Sequence, residues 1–93
     1  MMIGLLEIDL FSEECHSLKE KRRLLSSLKE RLKNKFNIAV AESDYQDLWQ
    51  KAQLSVVSLA ASRAILENTF QQVEDFIYLN SALQISKIRI QYH

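Results

Sequence analysis

The sequence has few of the residues that build specialised chemical sites. It contains one cysteine and one glycine among 93 residues, and its formal net charge is zero. A single cysteine cannot form an internal disulfide, which fits a reducing cytoplasm. A single glycine cannot build a phosphate-cradling loop, because such loops need several glycines. A zero net charge provides no whole-molecule attraction to nucleic acid or to an anionic membrane.

Long apolar segments are absent as well. No run approaches the roughly 20 residues that a membrane-spanning helix needs. The first residues are apolar, but they lack a basic segment and soon meet Glu7 and Asp9, which predicts a strand and not a signal peptide. The apolar fraction of 47% is ordinary for a globular chain, so we expect one domain over residues 1–93.

No part of the sequence has the spacing of a catalytic or metal-binding site. His16, Asp44, Asp47 and His93 match no recognised set of metal ligands. Cys15 lies beside His16, but adjacent side chains generally point apart, and no oxyanion donors are evident. We therefore expect no enzymatic activity, no metal and no cofactor.

The clearest element is a helix over residues 17–36, which begins with the capping-box pair Ser17 and Glu20. The segment holds eight of the chain's twelve basic residues against Glu20 and Glu30, a net charge of +6. The remainder has four basic and ten acidic residues, a net charge of −6. Apolar residues at helical spacing predict a core-facing stripe: Leu18, Leu24, Leu25, Leu28, Leu32 and Phe36.

Five basic residues gather beside that stripe along the helix, over a span that can follow a phosphate backbone. We call these five the basic flank: Lys19, Arg22, Arg23, Lys29 and Lys33. The alternative interpretation is a solvated helix face. Lys21 departs from the pattern and projects into the apolar sector. We expect it either to reach past the helix end to solvent or to pair with a carboxylate.

The remaining periodicities predict four strands and a second helix. The strands cover residues 2–11, 36–42, a stretch within 48–59, and 83–92, and the second helix covers residues 63–79. The order βαββαβ predicts an α+β ferredoxin-like sandwich, in which an antiparallel sheet of order 4-1-3-2 carries both helices on one face. Gly4, on the helix-facing side of the first strand, predicts a close backbone approach.

Charges on the first and last strands support this register. On the open face, Glu7 and Asp9 would lie beside Lys87 and Arg89. Opposite charges placed across strands contribute roughly 0.2–1 kcal/mol per pair. A swapped register would put these charges under the helices.

A sheet with helices on one side leaves apolar area exposed on the other, and such patches usually mark association. We therefore expect a homodimer whose interface includes the open face, with Ala39, Ala41 and one face of the third strand. Trp49 either anchors a partner or covers the end of the sheet. The predicted partner-interface residues are Ile3, Leu5, Phe11, Tyr45 and Trp49.

Three blocks of sequence resemble the bacterial YlxP-like family of short, mostly uncharacterised proteins. They are H-S-L-K-E-K-R-R at 16–23, N-K-F-N-I-A-V-A-E at 34–42 and D-Y-Q-D-L-W-Q-K-A at 44–52. The resemblance implies a ferredoxin-like fold. It also implies a role near the ribosome, because genes of this family often lie among those for translation initiation and small-subunit maturation. No catalytic residues are established for the family.

The chain departs from the family pattern at Ser55, where a glycine is common, and at residues 60–62, which replace a more polar helix start. The second departure argues against a ligand site at the junction between the third strand and the second helix.

These observations predict an accessory protein that binds ribosomal RNA or the small ribosomal subunit through the basic flank. The alternative is a homodimeric interaction or regulatory module that binds a small ligand or a protein partner, which rests on fold analogy.

Overall fold

The computed structural model describes residues 1–93 and contains four strands and two helices in the predicted order. The antiparallel strands lie in the order β2-β3-β1-β4, which is the predicted order read from the other edge. Both helices pack on one face, so the ferredoxin-like fold and the central position of β3 are confirmed. The bounds are β1 Met2–Phe11, α1 Leu18–Lys35, β2 Ala39–Asp44, β3 Lys51–Ala60, α2 Arg63–Asn80 and β4 Gln84–Tyr92.

The core lies between one face of the sheet and the inner sides of the two helices. Alternation in β1 and β3 buries every second side chain there, and the predicted stripe of α1 and the buried residues of α2 face them. Each fully buried aliphatic side chain contributes about 1.5–3 kcal/mol relative to an exposed one. Neither helix is both long and apolar enough to cross a membrane. The centre of the core comprises Leu6, Ile8, Leu10, Leu25, Leu28, Leu32, Leu54, Val56, Phe70, Val73 and Ile77.

Gly4 allows α2 to lie close to β1. A Cβ atom at this position would be 2.7 Å from Cε2 of Phe70, too near for any side chain. The Phe70 ring in turn stacks on Tyr92 of β4, with 6.4 Å between ring centroids. The predicted close approach at Gly4 is confirmed.

The strand β2 starts later than predicted because of the way in which α1 ends. Ser17 Oγ accepts a hydrogen bond from the Glu20 N–H at 3.1 Å, as the capping motif predicts. At the other end, the Phe36 N–H donates to Leu32 O at 2.9 Å, and the backbone then becomes extended. Residues 36–38 therefore leave the helix, and the predicted strand start at Phe36 was wrong by three residues, because β2 begins at Ala39.

The connection between β2 and β3 begins later than predicted. An irregularity between Glu42 and Asp44 shifts the pairing, so that Asp44 still lies opposite Gln53 and remains in the strand. Tyr45 then has a φ of 62°, a left-handed conformation uncommon for a side chain of this size. The Leu48 N–H donates to Tyr45 O at 3.0 Å and closes a four-residue turn.

Lys21 is buried at the base of this connection, with 1% of its surface exposed. Its Nζ donates to Tyr45 O at 2.8 Å and to Lys51 O at 3.0 Å. The same Nζ lies 3.1 Å from Glu42 Oε2, which has no other polar partner. The ammonium group therefore holds both ends of the β2–β3 connection against α1. Of the two predicted solutions for Lys21, pairing with a carboxylate is confirmed.

A row of polar side chains crosses all four strands on the open face of the sheet. Ser43 Oγ donates to Gln53 Oε1 at 2.8 Å, and Gln53 Nε2 donates to Asp9 Oδ1 at 2.9 Å. Arg89 Nη2 lies 3.2 Å from Asp9 Oδ1, and Arg89 Nε lies 3.6 Å from Glu7 Oε1. The row links β2, β3, β1 and β4 in that order.

The predicted register of β1 and β4 is confirmed. Glu7 lies opposite Arg89, and Asp9 lies opposite Lys87, on the face away from the helices. Both ion pairs form with Arg89, and Lys87 forms none.

The first prediction concerns the buried ammonium group. We expect Lys21→Met to lower the free energy of unfolding by about 3 kcal/mol, because it leaves the Glu42 carboxylate without its partner. Adding Glu42→Leu removes the unpaired charge, so the double variant should recover most of the loss. Urea titrations of the wild type, both single variants and the double variant measure the coupling. A loss below about 1 kcal/mol for Lys21→Met would contradict a buried pair and match a surface one.

The second prediction concerns the pH dependence of stability. Desolvation alone would raise the pKa of Asp9, but hydrogen bonds from Gln53 and Arg89, with the charge of Arg89, outweigh it and hold that pKa below 3.8. A carboxylate with a lowered folded-state pKa stabilises the fold above that value, and the stabilisation is lost as the pH falls through the folded pKa. Below pH 3.8 the unfolding free energy of the wild type should therefore fall more steeply than that of Asp9→Asn.

The matched control for this experiment is Glu30→Gln, which removes an exposed carboxylate that forms no ion pair. Its slope serves as the reference for the removal of a carboxylate outside the polar row. Equal slopes for the wild type and Asp9→Asn would show that the row does not depend on the Asp9 charge.

Candidate functional site

The eight basic residues of α1 divide into two groups. Three have partners within the fold. Lys21 holds the β2–β3 connection, Arg31 Nη1 donates to Asn80 O at 2.9 Å, and Lys35 Nζ lies 5.4 Å from the Phe76 ring centroid. The other five are the basic flank, and none of them forms an ion pair or a side-chain hydrogen bond.

The basic flank lies on the sides of α1 that are turned away from α2. Arg31 and Lys35 contact α2, and the flank residues project between about 80° and 200° around the helix axis from Lys21, at 100° per residue. Because the flank runs from Lys19 to Lys33, it spans about 21 Å along the axis. Four of its members are exposed, and Lys29 is half-buried.

No other element of the fold covers the basic flank. α1 packs over β2, which is an edge strand of the sheet, so the flank lies at a side of the molecule that no other element covers. Two acidic residues lie among the flank side chains: Glu20, which lines a surface depression with Lys19 and Arg23, and Glu30, which is exposed; neither forms an ion pair. The resulting surface can neutralise several phosphates at once.

Two of the predicted partner-interface residues lie together on the open face. Ile3 is opposite Leu59, and Leu5 is opposite Val57, which is in turn opposite Ala39 of β2. Ile3 is 44% exposed and Leu59 is 53% exposed. We call these five residues the apolar patch. Its members from β3 are those that the strand alternation predicts.

The other three predicted interface residues lie elsewhere. Phe11 is on the open face but at the far end of β1, opposite Lys51 and beyond the polar row. Tyr45 lies under the same Lys51, whose Nζ is 5.2 Å from the ring centroid. Trp49 contacts His16 edge-to-face, with 6.1 Å between ring centroids. The five residues therefore occupy three separate places and not one continuous surface.

The candidate metal ligands of the sequence do not come together. No group of three or more His, Cys, Asp or Glu side chains has an arrangement that could hold a metal ion. Cys15 is buried, with 1% of its surface exposed.

Two features of these surfaces were not predicted from the sequence. The contact between His16 and Trp49 joins residues 33 positions apart, and no local spacing indicates it. Gln53 is buried on the open face because Asp9 and Ser43 bind its amide. The only available signal was a polar residue directly before the apolar centre of the strand.

Two solved structures of designed proteins are similar to this one. The de novo designed protein Ferredog-Diesel has a TM-score of 0.51 at 13% identity, covering 96% of this chain and 83% of that one. The de novo designed protein Foldit4 has a TM-score of 0.54 at 12% identity, covering 100% of this chain and 97% of that one. At these identities the likeness shows the fold alone.

Sequence comparison gives the family. The uncharacterized protein YlxP of Bacillus subtilis (strain 168) is 38% identical over 76 residues, which cover 82% of this chain and 83% of that protein. The family described as "Protein of unknown function (DUF503)" matches residues 3–90. The resemblance predicted from the three sequence blocks is thereby confirmed. The chain belongs to the DUF503 family.

Proposed function

We propose that this protein binds RNA through the basic flank and acts in the cytoplasm as a non-enzymatic accessory factor of the small ribosomal subunit. The division of the basic residues of α1 carries the proposal. Lys21, Arg31 and Lys35 have partners within the fold, whereas the five residues of the flank have none. Folding therefore accounts for three positive charges and leaves five available to phosphates.

The distribution of charge favours an oriented encounter. The chain is neutral as a whole, but residues 17–36 carry +6 and the remainder carries −6. Such a molecule presents one attractive side to a polyanion and repels it elsewhere. Release of counterions from the neutralised phosphates supplies the affinity.

The open face of the sheet is a poor alternative for RNA. Sheets that bind RNA on this face carry aromatic side chains on their central strands, on which bases stack. Here the middle of the face carries Asp9, Gln53 and Arg89, which already bind one another. The ribosomal part of the proposal draws on the gene neighbourhood that the family resemblance implies.

The third prediction tests the basic flank by its salt dependence. With five phosphate contacts, the affinity for single-stranded RNA should fall roughly 100-fold between about 50 and 200 mM salt. In the variant Arg22→Gln, Arg23→Gln, Lys33→Gln two contacts remain, and the fall should shrink to roughly 7-fold. Lys29 is left unchanged because it is half-buried. Fluorescence anisotropy with a labelled oligonucleotide measures the binding of RNA. Co-sedimentation with purified small subunits measures the association with the ribosome.

A control variant separates the flank from net charge. Asn68→Asp, Gln72→Glu, Gln84→Glu changes the net charge by the same three units at exposed positions outside α1. It should bind like the wild type. If both variants lose affinity equally, the attraction is not located at the flank.

The apolar patch favours a second candidate function, a homodimeric interaction module. Its side chains are adjacent across three strands and lie on one side of the polar row, so they form one continuous surface. Exposed apolar patches of several hundred Å² usually mark association. The patch is on the opposite layer of the molecule from the basic flank, and the two candidate functions therefore do not compete for the same surface.

The fourth prediction tests the patch. If a second copy covers it, the wild type should be a dimer at micromolar concentration and Leu59→Glu should be a monomer, because the added charge would be buried without a partner. Leu79→Glu is the control, because Leu79 is 75% exposed on α2 and away from the sheet. Static light scattering measures the mass of each protein. A monomeric wild type would exclude this candidate.

A further inference from the structure

Trp49 is an exposed aromatic side chain on a connection that the fold holds in place. It is the only tryptophan of the chain, and 44% of its surface is exposed. Its neighbour Leu48 is 46% exposed. Neither residue belongs to the core. Folding therefore does not explain why these two positions carry large apolar side chains.

The connection that carries Trp49 is fixed at both ends. Lys21 Nζ binds Tyr45 O and Lys51 O, on either side of the tryptophan. The Ser12 N–H donates to Gln50 O at 3.0 Å, directly after the tryptophan. An aromatic ring on a pre-ordered segment loses little conformational entropy when a ligand contacts it.

The ring lies at the N-terminal end of the basic flank. Trp49 contacts His16, which directly precedes the N-cap Ser17, and Lys19 follows within the first turn of α1. From Leu18, the first residue of α1, to Arg23 the helix rises about 8 Å. The buried ammonium of Lys21 thus fixes the aromatic ring and the basic flank relative to one another.

We propose that Trp49 stacks on an unpaired base of single-stranded RNA whose phosphates lie along the basic flank. This inference rests on the proposed function and specifies its ligand. Stacking on an aromatic side chain requires a base that is free of a duplex, and it tolerates any base because each has a π-face. The flank by itself would bind single-stranded and double-stranded RNA through charge alone.

The acidic residues of the connection agree with this orientation. Asp44 Oδ1 accepts the Tyr45 N–H at 2.7 Å, and Asp47 is exposed two residues before Trp49. Carboxylates repel phosphates, so the backbone of a bound strand is disfavoured at this end. A base, which is uncharged, is not repelled, and the phosphates are left to the flank.

The experiment uses the fluorescence of Trp49, which reports on no other site because the chain has one tryptophan. The full-length protein is titrated with a single-stranded oligouridylate of about 12 nucleotides and with an RNA duplex of the same length. We expect saturable quenching by the single strand and little quenching by the duplex. Trp49→Leu should weaken single-strand binding roughly 5- to 150-fold and leave duplex binding unchanged within about twofold, both measured by anisotropy with labelled RNA.

Two further variants separate stacking from loss of structure. Trp49→Phe keeps an aromatic face and should retain part of the single-strand preference, and Leu48→Ala, a truncation of the neighbouring exposed residue, should retain all of it. Circular dichroism and the urea midpoint establish that each variant is folded.

The outcomes distinguish this inference from the function on which it rests. If the wild type binds both RNAs and Trp49→Leu changes neither affinity, or lowers both equally, the stacking inference is wrong and the flank proposal stands. If the wild type binds neither RNA at low salt, the flank proposal fails and the stacking inference fails with it. If only the single strand is affected by Trp49→Leu, and the flank variant loses both ligands, both proposals hold.

Discussion

The buried ammonium group of Lys21 is the contact on which the arrangement of the molecule depends. Removal of a charge from water is costly unless charged and polar partners replace the lost hydration. These partners converge at one place, where Glu42, Tyr45 O and Lys51 O lie together. Meeting that requirement sets the rotation of α1 about its axis. The same rotation turns the leucines to the core and the basic flank to solvent.

Basic side chains in this helix therefore serve two physical purposes, and their environment decides which. Lys21 is held by a desolvated carboxylate and two carbonyl groups, whereas the flank residues remain hydrated. The open face of the sheet is likewise divided between polar side chains that bind one another and apolar side chains that remain exposed. The row built on Asp9 and Arg89 satisfies its own polar groups, and it separates the apolar patch from Phe11. The molecule thus has two distinct free surfaces, one basic and one apolar, on opposite layers.

Much of the fold could be predicted because its signals are local. Leucine spacing, the Ser17 cap and the alternation of β1 each depend on neighbours within a few residues. The pairing of Lys21 was one of two solutions, because the choice depended on where residue 42 of a distant strand would lie. The register irregularity before Asp44 and the positive φ of Tyr45 were not predictable, since no composition signal marks either of them. The basic flank was predictable as a surface, but its relation to Trp49 was not.

The strand order has a consequence for how the chain folds during synthesis. β1 is made first, yet its two neighbours in the sheet are β3 and β4, and its last backbone hydrogen bonds join Ile3 to His93. Bringing such distant residues together lowers the chain entropy before the new contacts can stabilise the fold. Until residues 84–92 have emerged, β1 has an open edge on one side. α2, which packs on β1 in the finished fold, precedes β4 in the chain and can cover the apolar face of β1 during that interval, so the nascent chain is then most exposed to wrong pairing along this strand edge.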